Sequence, residues 1–65
     1  MITVQAIEDI VSRAKGALKY ASKGDIFKGK FYCFNNFGQE LYLCENKGVK
    51  FITNKSNIRI VDSAL

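Results

Sequence analysis

The spacing of the apolar residues changes once along this chain, at Lys23-Gly24-Asp25. Before this point they recur every three to four positions, which is typical of one face of an α-helix. After it they alternate with polar residues, which is typical of a half-buried strand. We therefore predict an α+β fold, in which an N-terminal amphipathic helix is followed by a small antiparallel sheet of four to five strands.

The predicted helix covers residues 3–23, with Thr3 as its N-cap and Gly24 as its left-handed C-terminal stop. Asp9 and Arg13 are spaced as a favourable i, i+4 ion pair. The apolar stripe of this helix consists of Val4, Ile7, Val11, Ala14, Leu18 and Ala21. Such a stripe must be covered, and we expect the helix to dock on its own sheet.

The predicted sheet covers residues 25–62. It consists of a short extended piece at 26–27 and strands at 30–35, 40–44, 49–53 and 58–61. The segments 35–38 and 46–48 contain Asn and Gly, which accept the positive φ of hairpin turns. The segment 54–57 is predicted to form a single helical turn before the last strand.

Alternation along the strands sorts their side chains into two faces. The predicted core face consists of Phe31, Cys33, Leu41, Leu43, Val49, Phe51, Ile58 and Ile60. The opposite, mixed face consists of Lys30, Tyr32, Phe34, Glu40, Tyr42, Lys50, Ile52, Arg59 and Val61. The apolar members of the mixed face require a cover, which is the helix, a second copy of the chain or a functional partner.

Length and charge predict the number of domains and exclude some kinds of partner. A chain of 65 residues is predicted to form one domain, from residue 1 to residue 65. Its formal net charge of +4 is not clustered. Most of the basic residues are lysines, which lack the planar fork that arginine uses to read guanine, so sequence-specific DNA recognition is not expected.

The N-terminus lacks a signal-peptide pattern and no apolar run approaches a membrane span, so a cytoplasmic protein without a membrane segment is predicted.

The residues that usually carry catalysis are missing. The sequence has no histidine, which excludes the usual Ser-His and Cys-His nucleophiles. Cys33 and Cys44 cannot complete a tetrahedral zinc site alone. They fall on opposite predicted faces, so we expect buried structural thiols rather than a disulfide. No glycine-rich phosphate loop is present. We therefore predict a protein that is not an enzyme and has no catalytic residues, cofactor or metal.

The order of the predicted elements resembles that of SH3-like barrels. Lys23-Gly24-Asp25-Ile26-Phe27 precedes a short strand and two hairpins, and Gly48 to Asp62 contains the segment Lys55-Ser56-Asn57-Ile58. This segment is similar to the single helical turn that leads into the last strand of those barrels. The resemblance implies a small barrel that acts as a binding module. The chain lacks tryptophan, proline and a paired-tyrosine motif in its first loop, so binding of proline-rich peptides is not carried over.

The size and the Lys-, Asn- and Ile-rich composition also resemble small bacteriophage accessory proteins. That resemblance implies binding to a host protein, in the cytoplasm of a bacterial host. The predicted partner-binding residues are Tyr32, Phe34, Tyr42, Lys30, Lys50 and Arg59. Our main hypothesis is a module that binds and modulates a protein partner, as an accessory or inhibitor protein.

Three other hypotheses use the same mixed face. In the first, the protein is a general nucleic-acid binder whose rings stack on bases and whose basic side chains neutralise phosphates. In the second, the face forms a homodimer. In the third, the face is covered by the predicted helix and has no partner.

Overall fold

The computed structural model describes residues 1–12 and 18–62. The strands are β1 (Ile2–Ala6), β2 (Ile10–Val11), β3 (Lys19–Ala21), β4 (Ile26–Phe34), β5 (Glu40–Asn46), β6 (Val49–Asn54) and β7 (Ile58–Asp62). A 3₁₀ turn, Lys55–Asn57, lies between β6 and β7. With 64% of residues in strands and 5% helical, the predicted α+β class is wrong. No helix among the described residues is long and apolar enough to cross a membrane.

The strands form an antiparallel five-stranded sheet in the order β6-β5-β4-β1-β7, and β2 and β3 form a separate two-stranded sheet. β1 lies between β4 and β7 and pairs with both. The segment between β1 and β4 therefore contains the antiparallel hairpin of β2 and β3, which packs on the main sheet through the buried Ile10 and Ala21.

The predicted N-terminal helix over residues 3–23 is wrong, because its first part is the strand β1. Val4 and Ala6 are buried, whereas Thr3 and Gln5, which alternate with them along the chain, are partly exposed. This period of two places alternate side chains in the core, and the β-branched residues of Ile2-Thr3-Val4 favour a strand.

Much of the predicted apolar stripe does not reach the core. Ile7, Val11 and Leu18 are all classed as exposed, whereas Ala21 is buried at the end of β3. Ala14 of the stripe and Arg13 of the predicted ion pair lie outside the described residues.

Gly24 has the positive φ that the sequence predicts, +93°, but it lies in a turn rather than at a helix end. The backbone N–H of Asp25 donates to the carbonyl of Ser22 at 2.9 Å, and the N–H of Gly24 donates to the carbonyl of Ala6 at 2.8 Å. The turn therefore joins β3 to β4 and ties both to the end of β1.

The strands predicted at 40–44, 49–53 and 58–61 are confirmed, as is the helical turn before the last strand. The extended piece predicted at 26–27 and the strand predicted at 30–35 are instead one continuous strand, β4. The side chain of Asn54 caps the helical turn by accepting a hydrogen bond from the backbone N–H of Ser56.

The predicted division of side chains between the two sheet faces, however, is wrong on β5. Asn46 pairs with Val49 across the two-residue turn, so Cys44 faces Phe51. The buried apolar core consists of Val4, Ala6, Ile10, Ala21, Phe27, Tyr42, Cys44, Phe51 and Ile58.

A bulge in β4 is a second reason why the predicted division of faces is wrong. Phe31 pairs with Tyr42, but the register shifts so that Cys33 pairs with Leu41. Phe31, predicted to lie in the core, is 46% exposed. Both cysteines are free; Cys44 is fully buried and Cys33 only partly so. Burial raises the pKa of the Cys44 thiol to about 11, because the thiolate would lose its hydration.

Candidate functional site

A groove of about 690 Å³ lies between the hairpin of β2 and β3 and the loop of residues 35–39. Its floor comes from the ends of β5 and β6 and from the 3₁₀ turn, which contributes Asn57. The groove is thus built from four separate parts of the sequence. Concave sites of this size, with apolar walls and a few polar groups, are the usual form of a ligand site.

The hairpin wall is held in place by Asp9 and Tyr20, both of which line the groove. Asp9 accepts a hydrogen bond from the backbone N–H of Lys23 at 2.8 Å and lies 3.6 Å from the Lys19 ammonium. The hydrogen bond from Lys23, followed by the charge of Lys19, lowers the pKa of Asp9 below its ordinary value. The Tyr20 ring stacks on the core residue Phe51, with centroids 4.8 Å apart and planes 2° from parallel.

The opposite wall is the loop of residues 35–39, which carries Phe37. This ring is 87% exposed, the highest value among the exposed large apolar residues described. At the end of the loop, the side-chain carbonyl of Gln39 accepts a hydrogen bond from Asn54 at 3.0 Å, which ties the loop to the end of β6. The loop therefore presents the Phe37 ring beside the groove, and the end of the loop at Gln39 is bonded to β6.

Apolar and amide groups together form the floor. Leu41 and Ile52 provide apolar surface, and Ile52 is 47% exposed. The Asn57 amide donates to the Thr53 hydroxyl at 3.1 Å, and within the described chain its side-chain oxygen accepts no hydrogen bond. In the same set of hydrogen bonds, Gln39 Nε2 donates to no acceptor. The groove thus offers, among its polar groups, a donor at Gln39 and an acceptor at Asn57 beside the apolar side chains of Leu41 and Ile52.

The groove differs in charge from the protein as a whole. Asp9 is the one charged residue in its described lining, which contains neither lysine nor arginine. The complete chain carries ten basic residues and a formal net charge of +4. Because Asp9 is paired with Lys19, the described lining of the groove is close to neutral, on a chain that is basic overall.

The predicted aromatic binding residues do not lie together in this groove. Tyr42 is buried in the core at 7% exposure, so its predicted place on the mixed face is wrong. Tyr32 and Phe34 are exposed. The Phe34 ring contacts Phe31 edge to face at 5.2 Å, and Phe31 in turn contacts Tyr42 at 6.1 Å.

The predicted basic residues lie apart from these rings. Lys30 and Lys50 line a small depression with Leu43, and because Lys30 precedes Phe31 in the strand, it points to the other face of the sheet. Arg59 is exposed on β7 and donates to the side-chain carbonyl of Gln5 at 2.9 Å. The described geometry therefore does not combine the predicted aromatic and basic residues into one surface.

The residues of the groove were missed from the sequence for two reasons. Val11 was assigned to a helix, although it lies in β2 and is 49% exposed. Phe37 was treated as part of a turn, although a phenylalanine within an Asn-Asn-Phe-Gly turn cannot easily reach a core and is therefore a candidate for exposure.

Comparison of the chain with models of protein families, with curated proteins and with solved structures finds no match.

Proposed function

We propose that this protein is a small non-enzymatic binding module that holds an extended segment of a protein partner in the groove between the β2–β3 hairpin and the 35–39 loop. The observation that carries the proposal is the groove itself, with the exposed Phe37 ring on one wall and apolar Leu41 and Ile52 on its floor. Aromatic residues beside a concave apolar surface are common anchors of protein interfaces.

The unused polar groups of the groove favour a peptide as its occupant. An extended peptide carries both carbonyl acceptors and N–H donors along its main chain. Gln39 Nε2 can donate to a peptide carbonyl, and Asn57 Oδ1 can accept from a peptide N–H. Such a pair of bonds would orient the main chain while the apolar floor receives a side chain.

Charge favours a protein segment over nucleic acid. A surface for single-stranded nucleic acid needs basic side chains along the path of the phosphates, and the described lining of the groove contains none. The Asp9 carboxylate is paired with Lys19, so it adds little net charge to the groove. We infer that the bound segment carries little net charge and is largely apolar.

The strand order supports a relation to SH3-like barrels, as part of the same proposal. β1 lies between β4 and β7, and a single 3₁₀ turn leads from β6 into β7, the step on which the sequence resemblance depends. A role as a bacteriophage-type accessory or inhibitor protein in the bacterial cytoplasm stays a prediction, since it depends on composition.

The proposal is tested with a random peptide library presented by mRNA display. We expect selected peptides to carry little net charge and to contain apolar residues. Phe37→Ala should lower the affinity for the best peptide by about tenfold or more, because it removes an aromatic anchor. The free energy of unfolding should change by less than about 0.5 kcal/mol, because the ring is a surface group.

Phe34→Ala is the matched control. It removes the same side chain from an exposed position of β4, at 63% exposure, that is not part of the lining of the groove. Peptide affinity should stay within about twofold of wild type. The proposal fails if no peptide is selected, or if Phe34→Ala weakens binding and Phe37→Ala does not. Salt-sensitive binding of a single-stranded oligonucleotide, without peptide binding, would support the nucleic-acid alternative instead.

A further inference from the structure

The loop of residues 35–39 is closed by hydrogen bonds that begin at Asn35. The Asn35 side-chain oxygen accepts from the backbone N–H of Phe37 at 2.8 Å and from that of Gln39 at 3.0 Å. The Asn35 N–H donates to the Gln39 carbonyl at 2.9 Å, and the Gly38 N–H donates to the Asn35 carbonyl at 3.0 Å. The main chain on both sides of the Phe37 ring is therefore bonded to a single residue.

The orientation of the Asn35 amide follows from these bonds, and it extends the network. Two backbone N–H groups need an oxygen as their acceptor, so the Asn35 amide nitrogen must point the other way. It donates to the side-chain oxygen of Gln39 at 2.8 Å, which also accepts from Asn54 at 3.0 Å. The network thus links the loop to the end of β6, which is part of the groove floor.

We propose that Asn35 is a positioning residue that holds the main chain carrying Phe37 in its binding geometry before a partner arrives. This inference rests on the proposed function, since it concerns the same groove. The Phe37 ring is too exposed to be held by packing, so the main chain of the loop sets where its Cα–Cβ bond points. A loop that must be ordered during association lowers affinity, and a loop that is already ordered avoids that loss.

Three variants test the proposal. Asn35→Ala removes the acceptor, whereas Asn35→Asp keeps an acceptor for both N–H groups but replaces the donor to Gln39 with a second carboxylate oxygen. Asn36→Ala is the matched control, because Asn36 is exposed in the same loop and its side chain forms no hydrogen bond in the described chain. Each variant is measured by ¹⁵N relaxation without ligand and by affinity for the peptide selected on wild type.

In Asn35→Ala the order parameters of the Phe37 and Gln39 amides should fall from about 0.85 to below about 0.6, and stay near wild type in Asn35→Asp and Asn36→Ala. Peptide affinity should fall roughly fivefold to twentyfold in Asn35→Ala. In a Phe37→Ala background the same change should have almost no effect, because Asn35 acts through the ring.

Two results would overturn the proposal. One is an Asn35→Ala loop as ordered as that of Asn36→Ala. The other is an affinity loss that persists in full in the Phe37→Ala background, since Asn35 would then act through Gln39 or by contact with the peptide, and not through Phe37. If no peptide binds wild type, the proposed function fails, and the relaxation data still decide whether Asn35 holds Phe37.

Discussion

Gly29 provides a sharp test of the packing that places β5 in the core. It is buried in β4 opposite Cys44, and a Cβ added at Gly29 would lie 2.9 Å from the Cys44 sulfur. Its next neighbours, the Leu43 carbonyl oxygen at 3.5 Å and a Val4 methyl at 3.7 Å, are at ordinary contact distance. The clash in Gly29→Ala is therefore with a single atom, which is itself fully buried.

We expect Gly29→Ala to lower the free energy of unfolding by about 1 to 2 kcal/mol. Overpacking of a core costs about 1 to 3 kcal/mol, and alanine recovers about 0.4 to 1 kcal/mol by restricting the unfolded chain. For a domain of this size, 1 kcal/mol shifts the melting temperature by about 4 to 8 °C, which is readily measured. Urea unfolding followed by circular dichroism measures the change directly.

A double-mutant cycle with Cys44→Ala isolates the contact. Cys44→Ala removes the sulfur, so Gly29→Ala in that background should be neutral or slightly stabilising. The interaction energy between the two changes should be about 1 to 3 kcal/mol. An equal cost in both backgrounds would refute the reasoning, because Gly29 and Cys44 would not then face one another across β4 and β5.

Three further predictions concern ionisable groups. At pH 8 a thiol reagent should label Cys33 in the native protein and Cys44 only after unfolding, since burial keeps the Cys44 thiol protonated. Between about pH 9 and about pH 11 the unfolded state loses the Cys44 proton before the native state does, so native stability should fall as pH rises, and this fall should be smaller in Cys44→Ala. For Asp9, whose native pKa is lowered chiefly by the hydrogen bond from Lys23, the sign is opposite: its stabilisation is present at neutral pH and is lost as pH falls below the ordinary value of 3.8. Acid unfolding of wild type and Asp9→Asn should differ in that range, and identical curves would contradict the role of the carboxylate.

The strands after Gly24 could be predicted because their evidence is local. Alternation marks each strand, and turn residues such as Gly38 and Gly48, with φ of +78° and +80°, separate them. The register of β5 against β6 could also have been derived. A two-residue turn at Lys47-Gly48 pairs Asn46 with Val49 and so puts Cys44 opposite Phe51. The predicted face instead groups Phe51 with Leu41 and Leu43, because alternation within each strand does not by itself give the register between strands.

The first strand could not be settled by local patterns. Val4 belongs both to a helical spacing with Ile7 and Val11 and to an alternation with Ala6. The choice depends on β4 and β7, which offer edges to β1 from distant parts of the chain. Residues this far apart in sequence meet only in the folded sheet, so a window of local residues contains no signal for them.

The candidate site was unpredictable for the same reason. Its walls and floor come from residues near positions 10, 20, 37 and 52, which no local pattern brings together. The bulge in β4 also separates Phe34 from Lys30, so strict alternation placed these two side chains on one face when they lie on opposite faces. Only Phe37 had a usable signal, as an apolar residue within a turn.

Chemical-shift mapping of the selected peptide onto the ¹⁵N-labelled protein tests the central claim most directly. If the groove is the binding site, the largest shifts on titration will fall on Val11, Phe37, Gln39, Ile52 and Asn57, which lie on its two walls and floor. The amides of Lys30, Lys50 and Arg59 will change little. Largest shifts at those three basic residues, with the groove unaffected, would contradict the account.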